Sequence, residues 1–559
     1  MKNIRKKVVL LLLVALGFSC ELPNDTVDPS RLQPQAADPD FLLNSIQLNF
    51  ASFYNSASNN TDQLVRMQAM TGGFRYQNAI SPASTNGLWG WAYQTALINI
   101  NTLIPIATAR NFTTHVAMAK IFEAYIYLTL VDIYGDVPQS EALKGTNFNP
   151  KLDNAADVYA YAITRLTEAR TELAKTGNDV GRLPASDFYY PGLGAAARTN
   201  WTAVANTLEL KAQMNLRMVS ASAADTRVDQ LLASNIIDTE AENFTFKWGT
   251  ATVPDSRHPL YNQYYGPNAG SAGGYIANYF LNELFRGRGV QDPRWRYYFY
   301  RQVGSIVPSN TVPAFDIKAL GCAPGAPPPH YQAVGAVYCV FEPGFYGRDH
   351  GDNSGTPPDG PVITCAGVYP AGGRPDNNST ANTAYNTPSQ RGNGANGAGI
   401  SPIWMSFYTN FLRAELLARR GDPTGAETQM LAGINGSITQ VKNFAVSRGQ
   451  AVTPASLEPS TSAYIAAVQT AYSAATNKLD VIGREFYVSL WGNGVEAYNS
   501  YRRTSAPRGF QPTLQTGEGP WVRSFVYPLS YTSLANPNAV KDPNVTNKVF
   551  WDTNPETLK

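Results

Sequence analysis

The chain has 559 residues, of which 15% are charged and 11% aromatic, with a formal net charge of +2. That length supports a large buried core. The near-neutral balance excludes a nucleic-acid binder, which needs a basic face. The 31 tyrosines and sparse charge suit a secreted protein that meets neutral, polar ligands.

Lys2, Arg5, Lys6 and Lys7 precede an apolar run from Val8 to Phe18, and Ser19-Cys20 follow. A membrane-spanning helix needs about 20 apolar residues, so this shorter run predicts a signal peptide over 1–19 rather than an anchor helix. Cys20 stands at the end of the run behind the small residues Gly17 and Ser19. A bacterial lipoprotein is cleaved and acylated at such a cysteine. Residues 20–37 are polar, acidic and broken by proline, which predicts a flexible lipidated tether. Glu21 follows Cys20, whereas inner-membrane retention typically needs Asp there, so Glu21 favours the outer membrane.

From Asp38 to about Ser222 the pattern is helical. Asp153 is positioned to cap a helix whose stripe is Val158, Tyr159, Ala162, Ile163, Leu166, Ala169 and Leu173, the i, i+3, i+4, i+7 spacing of an amphipathic helix. His115 to Tyr134 is apolar nearly all round and predicts a buried helix, stopped by Gly135 and Pro138. Further helices are expected over about Asn200–Ser220, Trp404–Arg420, Ser460–Thr476 and Leu479–Trp491. Antiparallel pairs of helices near 20 residues predict a helical-repeat scaffold.

Between about Gly304 and Gly399 the helical signal disappears, and roughly three residues in ten are Gly or Pro. Short strand-like pieces such as Ala336 to Phe341 suggest small hairpins there. Residues 38–559 therefore read as one domain, with a helical scaffold over about 38–235 and 400–505 and a loop-rich insert over about 236–399. Cys322, Cys339 and Cys365 all lie in the insert. In an oxidising compartment one disulfide is expected, with one cysteine left over. Cys322–Cys339 closes the shorter loop and is the first choice, worth roughly 3 kcal/mol in the chain-entropy model; Cys339–Cys365 competes.

Several motifs occur in order: Asn86-Gly-Leu-Trp-Gly-Trp-Ala-Tyr-Gln, Ala119-Lys-Ile-Phe-Glu-Ala-Tyr running into Asp132-Ile-Tyr-Gly-Asp-Val-Pro138, Phe411-Leu-Arg-Ala-Glu415, Trp491-Gly-Asn-Gly-Val-Glu-Ala-Tyr-Asn-Ser-Tyr-Arg-Arg503, and Val522-Arg-Ser-Phe-Val-Tyr-Pro528. This succession resembles the SusD/RagB family of outer-membrane nutrient-binding lipoproteins, in particular its second, SusD-like branch. The resemblance implies a mostly α fold of four tetratricopeptide-like helix pairs with a loop-rich ligand-binding half. It also implies a SusC-like TonB-dependent transporter as partner and an oligosaccharide or peptide as ligand.

Read structurally, Glu123, Glu415 and Glu496 are expected in buried pairs or caps rather than in catalysis, and Arg502 and Arg503 beside Glu496 are expected to tie helices together. The four histidines are scattered outside any metal box, and no nucleophile elbow is present. Gly392-Asn-Gly-Ala-Asn-Gly397 follows a loop rather than a strand, which argues against a dinucleotide. No cofactor or metal is expected. The rival to a binding protein is a surface-anchored glycoside hydrolase, for which the sequence singles out no carboxylate pair.

Sugars stack on aromatic rings, with amides and charged groups taking their hydroxyls. Candidate binding groups are Arg75, Trp89 and Trp91 in one segment and Trp295 and Tyr298 in another. Packing within loops is the competing role for each ring.

Overall fold

The computed structural model describes residues 37–72, 75–145, 147, 149–266, 274–300, 326–338, 345, 347–352, 363–377, 393–536 and 545–556. Cys20, Cys322 and Cys339 lie outside these residues, as do the signal peptide and most of the tether. Cys365 is buried.

The fold is mostly α. The first helices are α1 (Pro39–Leu64), α2 (Ile98–Ala109), α3 (Thr113–Tyr134), α4 (Ala155–Ala174), α5 (Ala197–Leu216) and α6 (Ala221–Leu232). The middle of the chain supplies β1 (Phe244–Lys247), α7 (Pro259–Tyr265), α8 (Asn278–Phe285), β2 (Phe299–Tyr300), β3 (Cys365–Ala366) and β4 (Ile400–Trp404). The closing helices are α9 (Ser406–Arg419), α10 (Pro423–Ser447), α11 (Thr461–Ala474), α12 (Lys478–Ser489) and α13 (Gly494–Thr504). Helices α2 and α3, α4 and α5, α9 and α10, and α12 and α13 pack as successive pairs. The scaffold closes because α13 packs on α1, bringing the first and last of these helices together.

Local chemistry accounts for the helix bounds. All of α3 is buried except Lys120, and Gly135 ends it at φ 85°, a conformation that glycine adopts without strain. Asp38 caps α1, Ser460 caps α11 and Asn477 caps α12 through their side chains. At α4 the cap is Asn154, whose side chain accepts from the Ala156 N–H; Asp153 instead takes the Gln139 and Ser140 N–H groups. Asp153 thus secures the turn after α3 rather than the start of α4. The region expected to open the helix at Trp404 is strand β4, and the helix proper begins at Ser406.

The strands form two short antiparallel pairs, β1 with β4 and β2 with β3. Neither is a hairpin: each joins distant parts of the chain, with Lys247 opposite Ile400 and Phe299 opposite Ala366. They fasten the loop-rich middle to the scaffold. The core is aromatic. Phe50 of α1 meets Phe122 at 4.6 Å and Tyr125 at 5.0 Å, and Trp491 meets Phe280 at 5.2 Å.

Buried charges are paired with opposite charges or held by hydrogen bonds and rings. Arg503 bridges Glu415 and Glu496 at 3.2 and 3.0 Å, and Arg165 pairs with Glu123 at 3.1 Å. Arg502 stacks over Tyr498 and Trp551 at 3.9 and 4.6 Å and donates to the Arg523 carbonyl. Asp132 of α3 is fully buried. It accepts from Tyr159 Oη (3.1 Å), Trp551 Nε1 (2.8 Å) and Asn499 Nδ2 (2.7 Å), with Lys211 at 3.7 Å.

Candidate functional site

Helix α1 has two faces. Leu43, Ile46, Phe50, Tyr54 and Ala57 enter the core. Ser52, Asn55, Ser56, Asn59 and Asp62 recur at helical spacing on another side and form one wall of a cleft of about 370 Å³. Trp91 and Trp248 supply aromatic surface, and His258, Leu260 and Gln263 complete the lining. Trp91 is 38% exposed. It sits in a π-helical segment, Gly90–Leu97, that runs without a break into α2; such segments re-aim side chains and recur at functional sites.

The polar groups are held by a short relay. The Trp248 indole N–H donates to Ser401 Oγ (2.9 Å), and Ser401 Oγ donates to Asn55 Oδ1 (3.2 Å). This fixes the Trp248 ring, which lies edge-on to the His258 imidazole at 5.8 Å. His258 Nδ1 accepts the Leu260 N–H at 3.1 Å. Burial pushes the imidazole pKa down to about 3, so His258 stays neutral and serves as a hydrogen-bonding group. Gln68 bridges Asn59 Oδ1 at 3.2 Å and Asp62 Oδ2 at 3.4 Å. Burial raises the Asp62 pKa to about 7, against a small opposing effect of the Gln68 amide. Asp62 Oδ1 has no hydrogen-bond partner and faces Gly494, where a Cβ would stand 2.5 Å away. The cleft thus offers ring surface with amides, hydroxyls and a neutral imidazole, which is the chemistry of a polar, uncharged ligand.

The sequence-derived candidates separate. Trp91 lines the cleft. Trp89, two residues earlier, turns inward and is 5% exposed, packed between Tyr93 (4.7 Å), Tyr531 (5.0 Å) and Tyr134 (5.3 Å). Trp295 is 2% exposed against Phe285, Phe345 and the Arg296 guanidinium. Tyr298 is fully buried, stacked on Tyr369 at 5.8 Å. The expectation that Trp89, Trp295 and Tyr298 present stacking faces to a ligand is therefore corrected: all three pack in the core. Arg75 is exposed but elsewhere, donating to the Thr516 carbonyl at 2.8 Å. Sequence reasoning missed Trp248 and the polar stripe of α1. The stripe is present in the sequence as Ser52, Asn55, Ser56 and Asn59, but other polar residues of the same helix, such as Asn44, Ser45 and Asn49, keep it from standing out.

The profile of one family, SusD-like_2, described as starch-binding associating with outer membrane, matches residues 30–313 and 366–528. The chain belongs to this SusD-like family. Solved structures share the fold. A chitin-binding protein aligns at 19% identity over 92% of this chain and 100% of its own, with a TM-score of 0.64. A SusD/RagB family protein from Bacteroides thetaiotaomicron aligns at 18% identity, covering 93% of this chain and 100% of that one, with a TM-score of 0.63. A chitin-binding SusD homolog from Flavobacterium johnsoniae aligns at 17% identity, covering 93% and 100%, with a TM-score of 0.62. No curated protein matches the chain. Among the described residues no helix is long and apolar enough to cross a membrane.

Proposed function

We propose that this chain is a nutrient-binding lipoprotein of the outer membrane that captures an oligosaccharide between Trp91 and Trp248 and delivers it to a SusC-like TonB-dependent transporter. The observation that carries the reading is a single cleft lined by the exposed Trp91 ring, by Trp248 and by the polar stripe of α1. Stacking on the two rings supplies apolar contact, and Asn55, Asn59 and Gln263 meet the hydroxyls. A peptide would need charged anchors or a backbone edge; among the described residues the cleft lining contains one carboxylate and no cation. The same single carboxylate, Asp62, speaks for binding over hydrolysis, since glycosidase chemistry uses a pair. The names of the chitin-binding neighbours and the starch-binding description of the family point the same way. Cys20 is the proposed lipid attachment site, and the face carrying the cleft is proposed to look outward from the cell.

Calorimetric titration of the purified mature protein with maltooligosaccharides, chitooligosaccharides and peptides tests the reading. Binding of a neutral oligosaccharide that is lost in Trp91→Ala and Trp248→Ala is expected. Turnover of any of these by the protein alone would establish the hydrolase instead. Cys20→Ala is expected to leave the precursor unprocessed or release the protein from the outer membrane; fractionation with that membrane without a partner would overturn the lipid assignment.

A further inference from the structure

A second cleft, of about 630 Å³, lies away from Trp91, between β1 and α10. We propose that it binds an acidic saccharide, taking the carboxylate or sulfate of the sugar between Lys247 and Arg448. This rests on the reading of the chain as a glycan binder but uses a different site.

The placement of charge carries the inference. The Asn243 amide donates to Gln440 Oε1 at 3.1 Å and fixes one end of the cleft. From there β1 runs to Lys247 and α10 runs on to Arg448. At about 3.3 Å per strand residue and 1.5 Å per helix residue, each path covers roughly 12–13 Å. Both arrive at the same end. Lys247 lies opposite Ile400, whose N–H donates to the Pro370 carbonyl at 2.8 Å. The neighbouring Tyr369 ring meets Phe444, one turn before Arg448, at 5.7 Å. Glu240, the one acid in the lining, stands exposed beyond the Asn243 end.

Among the described residues neither cation is neutralised. Lys247 is exposed and pairs with no carboxylate among the described residues, and neither does Arg448. The Arg448 guanidinium lies over the Phe444 ring at 5.2 Å, and its Nε is buried without a hydrogen-bond partner. Surface cations on this protein otherwise tend to sit beside acids, as Arg257 does with Asp255 and Arg420 with Asp229. The groove floor between the charged end and the Asn243–Gln440 end carries Tyr190 and Thr245, with Asn443 at the rim. That combination of hydroxyls and an amide beside two free cations fits a sugar chain bearing an anion, with hydrogen bonds to the charged end strengthened by the charge.

The test is titration of the full mature chain with an oligogalacturonate hexamer and a chondroitin sulfate hexasaccharide, beside a neutral maltohexaose and a glutamate hexapeptide. Binding of either acidic saccharide, weakened at least tenfold by Lys247→Gln or Arg448→Gln and by added salt, is expected. Which of the two binds identifies carboxylate or sulfate as the recognised group. Unchanged melting temperatures show that the variants fold. Trp91→Ala should leave the acidic ligand within twofold, so failure of the Trp91 site and failure of this one are read separately. Absence of binding by both acidic saccharides, equal binding of the glutamate peptide, or indifference to both cation variants would each overturn the proposal.

Discussion

Two tryptophans two residues apart show how far burial decides a side chain's role. Trp91 opens onto the cleft, so Trp91→Ala is expected to weaken a bound oligosaccharide by about 1–3 kcal/mol, or roughly 5- to 150-fold, with the melting temperature unchanged. Trp89→Ala removes a ring from a packed tyrosine cluster and is expected to cost about 3–5 kcal/mol of stability, read in urea unfolding. Asp62 has its own signature. Its pKa is raised in the folded state to about 7, so folding binds a proton that the unfolded chain releases near pH 4. Stability from this group is therefore present at low pH and is lost as pH rises from about 4 to 7. Each tenfold change in proton affinity is worth about 1.4 kcal/mol, which sets an upper bound on the order of 4 kcal/mol for this group. Asp62→Asn should raise the urea midpoint at pH 8 relative to the unmutated protein and change it little at pH 4. An equal change at both would show that Asp62 is ionised throughout.

At the scale of elements, helices with clean periodicity were legible: α3, α4, α11 and α12 lie within a few residues of their sequence expectations. Helix α10 was not. It holds Pro423, Gly425, Gly433 and Gly436, residue types that disfavour helix interiors, yet the proline occupies the first turn, where no N–H bond is lost. Gly433 and Gly436 let α10 approach α9 closely: a Cβ at 433 would stand 2.8 Å from the Phe411 ring, and one at 436 would stand 3.0 Å from Phe407 Cβ. Gly433→Ala gains up to about 1 kcal/mol of helix propensity against about 1–3 kcal/mol of overpacking. The net expectation is a destabilisation of about 1–2 kcal/mol, measured by thermal unfolding. The strands were illegible for another reason. Each is two to five residues long, and its partner lies far along the chain, so no local pattern announces it.

For the whole molecule, most of the motif residues proved to be packing, with Trp91 of the first motif the exception that lines the cleft. Asp132, Tyr498, Asn499 and Arg503 are buried: Asn499 donates to Asp132, Tyr498 to the Val522 carbonyl, and Arg503 to Glu415 and Asn215. Asp132→Ala would leave three donors unmet and Lys211 without one of its two carboxylates. A loss of about 3–5 kcal/mol is expected, seen as a lower urea midpoint with no change in ligand affinity for the molecules that remain folded. The site was only partly legible because it is assembled from α1, the π-helical segment, the chain after β1 and the start of α7. One aromatic of the pair, Trp248, belongs to no sequence motif. An aromatic-rich sequence spends most of its rings on the core, so residue type alone does not separate Trp91 from Trp89.

The bond from Trp551 to Asp132 spans 419 positions, and Tyr54 reaches the carbonyls of Pro402 and Gly492 across 348 and 438. A chain emerging N-terminus first, from a ribosome or through a secretion pore, must wait for residues 402 and 492 before Tyr54 finds its partners, and for residue 551 before Asp132 gains its indole donor. The early helices must wait with their apolar faces uncovered. Loop-closure entropy on that scale slows the final assembly, and the waiting state is the one most exposed to proteases and to aggregation. The architecture therefore makes arrival of the Trp551 segment the event that completes the buried network around Asp132, and it leaves the chain threadable for as long as that segment is missing.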